Sequence, residues 1–325
     1  MKIREVRAQN LRNFGPDAPA VSFVDPDTHQ VRPLTILVGA NGSGKTTLLE
    51  LIEAMSRAVV GEIRLGRLSP GRETVMSLNV QFPEAADPAQ VHHLRSVGLP
   101  GQSSKTWAAP GFNLNFSHED FRDSFQISVL HFPSSRSLPA HRSGAISRPQ
   151  ESQPWIFRYL SGDGYEGSLS QLWVWQNYLD LEAQAEGHPN LLPFVEAIQT
   201  ILSEDQTIKI QRGEVWIERP RRGDRVRPHE LPSGEQQVLV LFGEIIRRLK
   251  PGSIVMIDEL EISLHPALQR VVLYHLRRLA KLHDLQIILT THSLEIVADA
   301  DPSEIVNLDD MVFTEFAART DEAAE

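Results

Sequence analysis

The sequence contains no cysteine in its 325 residues. A disulfide, a thiolate metal site and a cysteine nucleophile are therefore excluded. No run approaches the ~18 apolar residues that a membrane-spanning helix needs, so none is expected. The opening, MKIREVRAQNLRNF, lacks the apolar stretch of a signal peptide. A cytoplasmic location is the resulting expectation. No fixed-period repeat is visible, and no heptad pattern is sustained, which argues against long coiled-coil arms. Positive charge is in deficit: 32 Lys and Arg stand against 42 Asp and Glu, a net charge of −10. That disfavours a protein basic all over and leaves room for a local basic face. With 41% hydrophobic and 23% charged residues, the composition is that of a globular protein with one large core or two lobes.

The most informative stretch is GANGSGKTT, Gly39 to Thr47. It fits the phosphate-loop pattern G-x-x-x-x-G-K-[ST] through Gly39, Gly44, Lys45 and Thr46. The preceding LTILVG reads as a buried strand. The following TTLLELIEAMSRAV places Leu48, Leu49, Ile52 and Met55 near helical spacing. A chance glycine loop would lack these flanks. Glycines at such a turn let backbone N–H groups of Gly39, Ala40, Asn41, Gly42, Ser43, Gly44 and the residues after them curl around a phosphate chain. The helix N-terminus adds partial positive charge. Lys45 is expected to reach the β- and γ-phosphates, and the Thr46 hydroxyl to bind Mg²⁺.

Elsewhere the pattern alternates between strands and helices. MKIREVRAQ and VSFVD read as strands, with a tight turn at Arg12-Asn13-Phe14 between them. VMSLNVQF, FNLNFS and FQISVLHF alternate as strands, and SVGLPGQSSKTWAAPG reads as a loop. Ser134 to Pro154, rich in Ser, Pro and Arg, reads as a mobile loop that is either solvated or meets a nucleic acid or phosphate. LSQLWVWQNYLDLEAQA and NLLPFVEAIQTILS read as two helices, with Trp173, Trp175 and Tyr178 as packing residues. TIKIQ and EVWIER form a hairpin about Arg212-Gly213. The loop PRRGDRVRP then gathers Arg221, Arg222, Arg225 and Arg227, either solvated or facing a nucleic acid or acidic partner.

Two further strands end in polar residues. SIVMIDE is nearly all apolar and closes on Asp258 and Glu259; LQIILTTHS closes near His292. Such runs are buried parallel strands, and their C-terminal ends are where α/β sheets hold ligands. Asp258 suits a Mg²⁺ ligand, and Glu259 suits a base for the attacking water. LPSGEQQ places Ser233, Gly234 and Glu235 at the start of an amphipathic helix, which is an anion site or a simple Ser-Glu cap. Pro266 opens another helix. The tail from Asp299 reads as short, acidic and alanine-rich.

In this order the phosphate loop, LPSGEQQ, IVMIDE and TTHS resemble the ABC-type ATPases over nearly the whole chain. LPSGEQQ resembles the signature of the RecF, SMC and OLD branch. DELEISLHP, Asp258 to Pro266, resembles the corresponding OLD-like segment, and QNLRNFG resembles that branch's opening turn near the adenosine. The resemblance implies an α/β head with a mixed sheet around the phosphate loop, an antiparallel β subdomain and a helical lobe. It divides the chain into residues 1–164, 165–206 and 207–325, together one composite ATPase domain. It implies ATP and Mg²⁺ as cofactors, with Arg12 and Asn13 added to Gly39–Thr47 at the nucleotide. It also implies a head-to-tail homodimer, with higher oligomers open, in which Ser233, Gly234 and Glu235 of one subunit cap the γ-phosphate held by the other. Glu259 then acts as base, Lys45 and His292 attend the γ-phosphate, and Glu261 to His265 crosses the interface.

The sequence departs from the family in places. Leu260 replaces a usual proline. No convincing Q-loop glutamine appears; Gln81 and Gln126 are weak candidates, and Arg136 is an alternative near the γ-phosphate. About 30 residues follow His292, too few for the OLD nuclease domain, since a domain needs at least about 50. The expectation is an ATP-driven switch working with a separate effector, such as a nuclease or toxin in bacterial defence. The alternatives are a RecF-like ATPase binding DNA through Arg219 to Arg227, a non-catalytic ATP-dependent scaffold, and an importer ATPase subunit, against which the signature and the missing Q-loop weigh.

Overall fold

The computed structural model describes residues 1–58, 74–81, 91–98, 107–108, 128–138, 156–159, 169–183 and 206–309, with single positions between 192 and 201. In chain order these form β1 (Lys2–Gln9), β2 (Val21–Ser22), β3 (Leu34–Val38), α1 (Lys45–Ala58), β4 (Thr74–Gln81), β5 (Val91–Gly98), β6 (Trp107–Ala108), β7 (Val129–Phe132) and β8 (Ile156–Arg158). There follow α2 (Leu169–Glu182), β9 (Thr207–Gln211), β10 (Glu214–Arg219), β11 (Asp224–Val226), α3 (Ser233–Arg248), β12 (Ile254–Ile257), α4 (Pro266–Leu282), β13 (Gln286–Thr290), α5 (Leu294–Asp299) and β14 (Ile305–Asn307).

Parallel and antiparallel pairing are segregated. The central sheet has the order β14-β3-β13-β12-β7-β8, every pair parallel. Its strands are apolar on both faces because both are covered. Along β12, Ile254 and Met256 join one core with α1 and the antiparallel sheet, while Val255 and Ile257 join a second core with α3 and α4. The antiparallel sheet runs β2-β1-β4-β5-β6. A small sheet, β11-β10-β9, packs with α2 and the buried Leu239 of α3 in a third core.

Several elements differ from the sequence expectation. Val91–Gly98 and Trp107–Ala108 are strands, although Ser96 to Gly111 reads as loop. The cause is tertiary: β5 pairs with β4 along its length, which overrides weak local alternation. Arg225 belongs to a third strand of the β9–β10 hairpin, not to a loop. The acidic tail contains β14, whose pairing with β3 closes one edge of the central sheet. VSFVD is a strand only at Val21–Ser22, followed by an isolated bridge between Val24 and Val31. Ser134–Leu138 is a fixed turn with Arg136 buried, not a mobile loop. FNLNFS, Gln126 and the remainder of Ser134–Pro154 lie outside the described residues.

Candidate functional site

Register decides where the site lies. Leu37 of β3 pairs with Thr290, Leu289 pairs with Ile257, and Ile257 pairs with Phe132. The carboxyl ends of β3, β13, β12 and β7 are therefore level. The residues that leave them are Gly39, Thr291, Asp258 and Pro133, so the sequence segments GANGSGKTT, TTHS, IDE and FPSSR emerge side by side.

The phosphate loop is fastened by its own chain. Lys45 is buried, and its ammonium donates to the carbonyls of Gly39 (2.7 Å) and Ala40 (2.9 Å). Desolvation lowers its pKa, opposed by the charges of Asp309, Glu259, Asp258 and Glu261. Gly44 has φ +96°, and a Cβ there would lie 2.7 Å from the Phe14 ring, so the loop rests on that aromatic side chain. In the same turn Asn13 donates to the Gly42 carbonyl. Arg12 donates to Glu50 (2.5 Å) and to the Thr47 hydroxyl (3.3 Å). Arg12 and Asn13 are thus brought beside the loop. From the opposite side Asp309 accepts the Ala40 N–H through both carboxylate oxygens, at 2.8 and 2.9 Å.

At the end of β12 the Thr46 hydroxyl donates to Asp258, 3.1 and 3.0 Å from its two oxygens. Thr290 donates to the same carboxylate at 2.7 Å, and its oxygen accepts the Glu259 N–H at 2.8 Å. Glu259 is left-handed, φ +48°, a conformation that costs a non-glycine residue of order 1 kcal/mol. Leu260 donates its N–H to the Thr290 carbonyl at 3.1 Å, a bond that proline could not make. His292 is exposed beyond β13. Its backbone N–H and the Thr291 hydroxyl are held by Glu261, at 2.6 and 2.8 Å.

Ser233, Gly234 and Glu235 begin α3, but Ser233 is not its cap. The N-cap is Pro232, with no side-chain cap hydrogen bond, and Ser233 is exposed. Gly234 lies against the backbone: a Cβ there would come within 2.7 Å of the Ser263 carbonyl. Further along α3, Gln237 exchanges hydrogen bonds with Arg136. Gln81 lies on β4 and is engaged by Arg4, not by the phosphate loop.

This geometry agrees with the comparisons. The family described as "AAA domain, putative AbiEii toxin, Type IV TA system" matches residues 34–298. The chain belongs to this AAA family. The SMC head domain from Thermotoga maritima covers 94% of each chain at 16% identity, with a TM-score of 0.51. An SMC head bound to the C-winged helix domain of ScpA covers 94% of each chain at 17% identity, TM-score 0.58. A third head, with ScpA derived from Pyrococcus furiosus, covers 94% of this chain and 93% of its own at 16% identity, TM-score 0.57. At such identities the likeness establishes the fold. Two sulfate/thiosulfate import ATP-binding proteins, from Rhizobium meliloti and Mesorhizobium japonicum, are 37% identical over 78 residues, 24% of this chain. The match spans about a fifth of each relative, 21% and 22%. This member of the AAA family has the fold of an ABC-type ATPase head like those of SMC proteins.

The side chains fit the cofactors that such a head implies. A glycine loop opening α1, with a buried lysine over it, suits a polyphosphate. Among the described residues no group of three or more His, Cys, Asp or Glu could hold a metal. Thr46 and Asp258 offer hard oxygens side by side, the sparse protein ligation that Mg²⁺ uses when phosphate and water complete its shell. Sequence reasoning missed Thr290, Asp309 and Gln237. Thr290 was findable, because it lies in the TTHS segment; Asp309 and Gln237 depend on long-range contacts.

Proposed function

We propose that the chain is an ATP-hydrolysing switch that closes head to tail on a second copy around ATP and controls a separate effector. The observation that carries this reading is the start of α3. Its first N–H groups have no capping side chain, and the exposed Ser233 stands beside them. Unpaired donors at a helix start attract an anion from outside, and a γ-phosphate held by a partner's loop is such an anion.

Each residue then has a task. Lys45 and the backbone of Gly39–Thr47 bind the phosphates. Thr46 and Asp258 hold Mg²⁺, which supplies charge neutralisation when bound. Glu259 accepts the proton of the attacking water, its position fixed through Thr290. His292, exposed at the neighbouring strand end, attends the γ-phosphate. Arg12 and Asn13 join the nucleotide edge of the loop. Hydrolysis removes the charge both subunits share and releases the closed form. The family description, which names a toxin–antitoxin system, supports a defence setting with a nuclease or toxin as effector. The described residues include no helix long and apolar enough to cross a membrane, which is compatible with a cytoplasmic switch.

The test is the solution mass of Glu259→Gln with Mg²⁺ and no nucleotide, ADP or ATP. A monomer that doubles in mass only with ATP supports the switch; a mass indifferent to ATP overturns it.

One observation favours a second reading, direct binding of nucleic acid. On β10 Trp216 is clasped by the guanidinium groups of Arg225 (4.6 Å) and Arg227 (5.2 Å). This concentrates positive charge and an aromatic surface on one face of a chain with net charge −10. DNA affinity that falls steeply with salt, and disappears in Arg225→Ala/Arg227→Ala, would support it.

A further inference from the structure

Arg136 stands four residues beyond the end of β7 and is only 4% exposed. Its hydrogen bonds span three parts of the molecule. Nε donates to Gln237 Oε1 of α3 at 2.8 Å, and the Gln237 amide donates back to the Arg136 carbonyl. Nη1 donates to the carbonyls of Pro133 (2.8 Å) and Asp258 (2.5 Å). Nη2 donates to the carbonyl of Glu259 at 3.0 Å. One guanidinium thus holds the main chain of both acids at the end of β12. Burial brings its pKa down to about 10, opposed by Asp258, Glu261 and Glu259, so it stays cationic at neutral pH.

Two features make this more than a buried ion. Glu259 is held in a left-handed conformation that its own side chain does not favour, so its direction depends on the bonds to its peptide groups. In addition, α3 touches the segment leaving β12 at a second point, where Gly234 meets the Ser263 carbonyl. The helix whose start would meet a partner's nucleotide is therefore tied twice to the backbone that aims Glu259.

We propose that Arg136 is a positioning residue, and that the Gln237–Arg136 pair carries the placement of α3 to the main chain of Asp258 and Glu259. When α3 engages the nucleotide of the partner, it sets Glu259 in its own subunit, and the two ATP sites are coupled. This rests on the head-to-tail reading proposed above. It corrects the expectation that Arg136 itself serves at the γ-phosphate, because four of its five N–H donors are turned to protein carbonyls and Gln237. It also explains the arginine: a lysine ammonium is a point donor and cannot reach three carbonyls and an amide in one plane.

The experiment uses Gln237→Met, which keeps the volume and removes both bonds to Arg136, in the active chain and in the Glu259→Gln background. Thermal melting shows that the fold is kept. Binding of a fluorescent ATP analogue, the ATP dependence of turnover, and ATP-driven mass are then measured. The expected result is nucleotide affinity within about twofold of the unmodified chain, with kcat lower by at least about tenfold. The Hill coefficient is expected to fall from near 2 to about 1. Gln237→Glu, which keeps the acceptor for Arg136 Nε, restores most of the turnover. Arg136→Lys reproduces the Gln237→Met split between affinity and kcat. If the Glu259→Gln chain dimerises with ATP but Gln237→Met leaves kcat and the Hill coefficient unchanged, the relay is overturned and the dimer stands. If ATP never drives dimerisation in the Glu259→Gln chain itself, the head-to-tail reading falls, and the coupling between sites falls with it.

Discussion

The phosphate loop and the start of α3 are both places where backbone N–H groups could meet phosphate, yet they are built in opposite ways. The loop is closed upon itself. Lys45 is bonded to loop carbonyls, Ala40 to Asp309, and Gly42 to Asn13. The helix start is open, with a proline as its cap and an exposed serine as its first residue. A preorganised cradle binds without waiting for a partner, whereas the start of α3, with Glu235 in its first turn but no capping side chain, leaves its end open to a group from outside. On the proposed head-to-tail reading, the difference separates binding, which one chain can do, from closure, which needs two.

Variants that break this contrast rank by expected size. Glu259→Gln removes the base while leaving the cradle, and turnover is expected to drop about 1,000-fold with nucleotide affinity retained; single-turnover kinetics measure both. Lys45→Ala removes a charge-assisted contact to phosphate and should weaken ATP binding about 100-fold. Equilibrium titration reads this, and an unchanged affinity would remove Lys45 from the site. Ser233→Asp acts at the open end with two signs. A carboxylate at the helix start stabilises α3 by about 0.5 kcal/mol, so the melting temperature should rise slightly. The same charge repels a γ-phosphate, so ATP-driven dimerisation should be lost while affinity for monomeric nucleotide persists. Asp309→Asn keeps an acceptor for Ala40 and deletes a negative charge near Lys45; at low salt ATP should bind about fivefold more tightly. The smallest effect on the ATPase is expected for Arg225→Ala/Arg227→Ala, whose guanidinium groups pack on Trp216; this change should alter only salt-dependent binding of nucleic acid.

Much of the core was legible because its signals are local. LTILVG, SIVMIDE and LQIILTTHS are apolar on both faces and become the adjacent strands β3, β12 and β13. Gly39–Thr47 declares itself by spacing, and the sheet then brings Thr46 against Asp258, 212 residues away. What escaped the sequence is held by partners far along the chain. Asp309 is 269 residues from Ala40, and Gln237 is 101 from Arg136. The sequence offers Arg136 only as a neighbour of the γ-phosphate, and its bonds to Gln237 and to the carbonyls of Asp258 and Glu259 come from long-range contacts. The strands β5 and β11 depend on neighbours for their pairing, so their own residues carry little period.

The Phe14 ring beneath Gly44 extends the reach of the nucleotide beyond the loop. The turn carrying that ring is closed by Asn10 N–H to the Gly15 carbonyl (3.1 Å) and by mutual bonds between Leu11 and Phe14 (3.1 and 2.9 Å). Filling the cradle tightens a loop that this turn supports, so the turn opens less often when ATP is bound. In a deuterium-exchange footprint of ATP, the amides of Asn10, Leu11 and Phe14 should therefore slow together with those of Gly42 to Thr47, and Gly44→Ala, by pushing against the ring, should speed the same amides in the nucleotide-free protein.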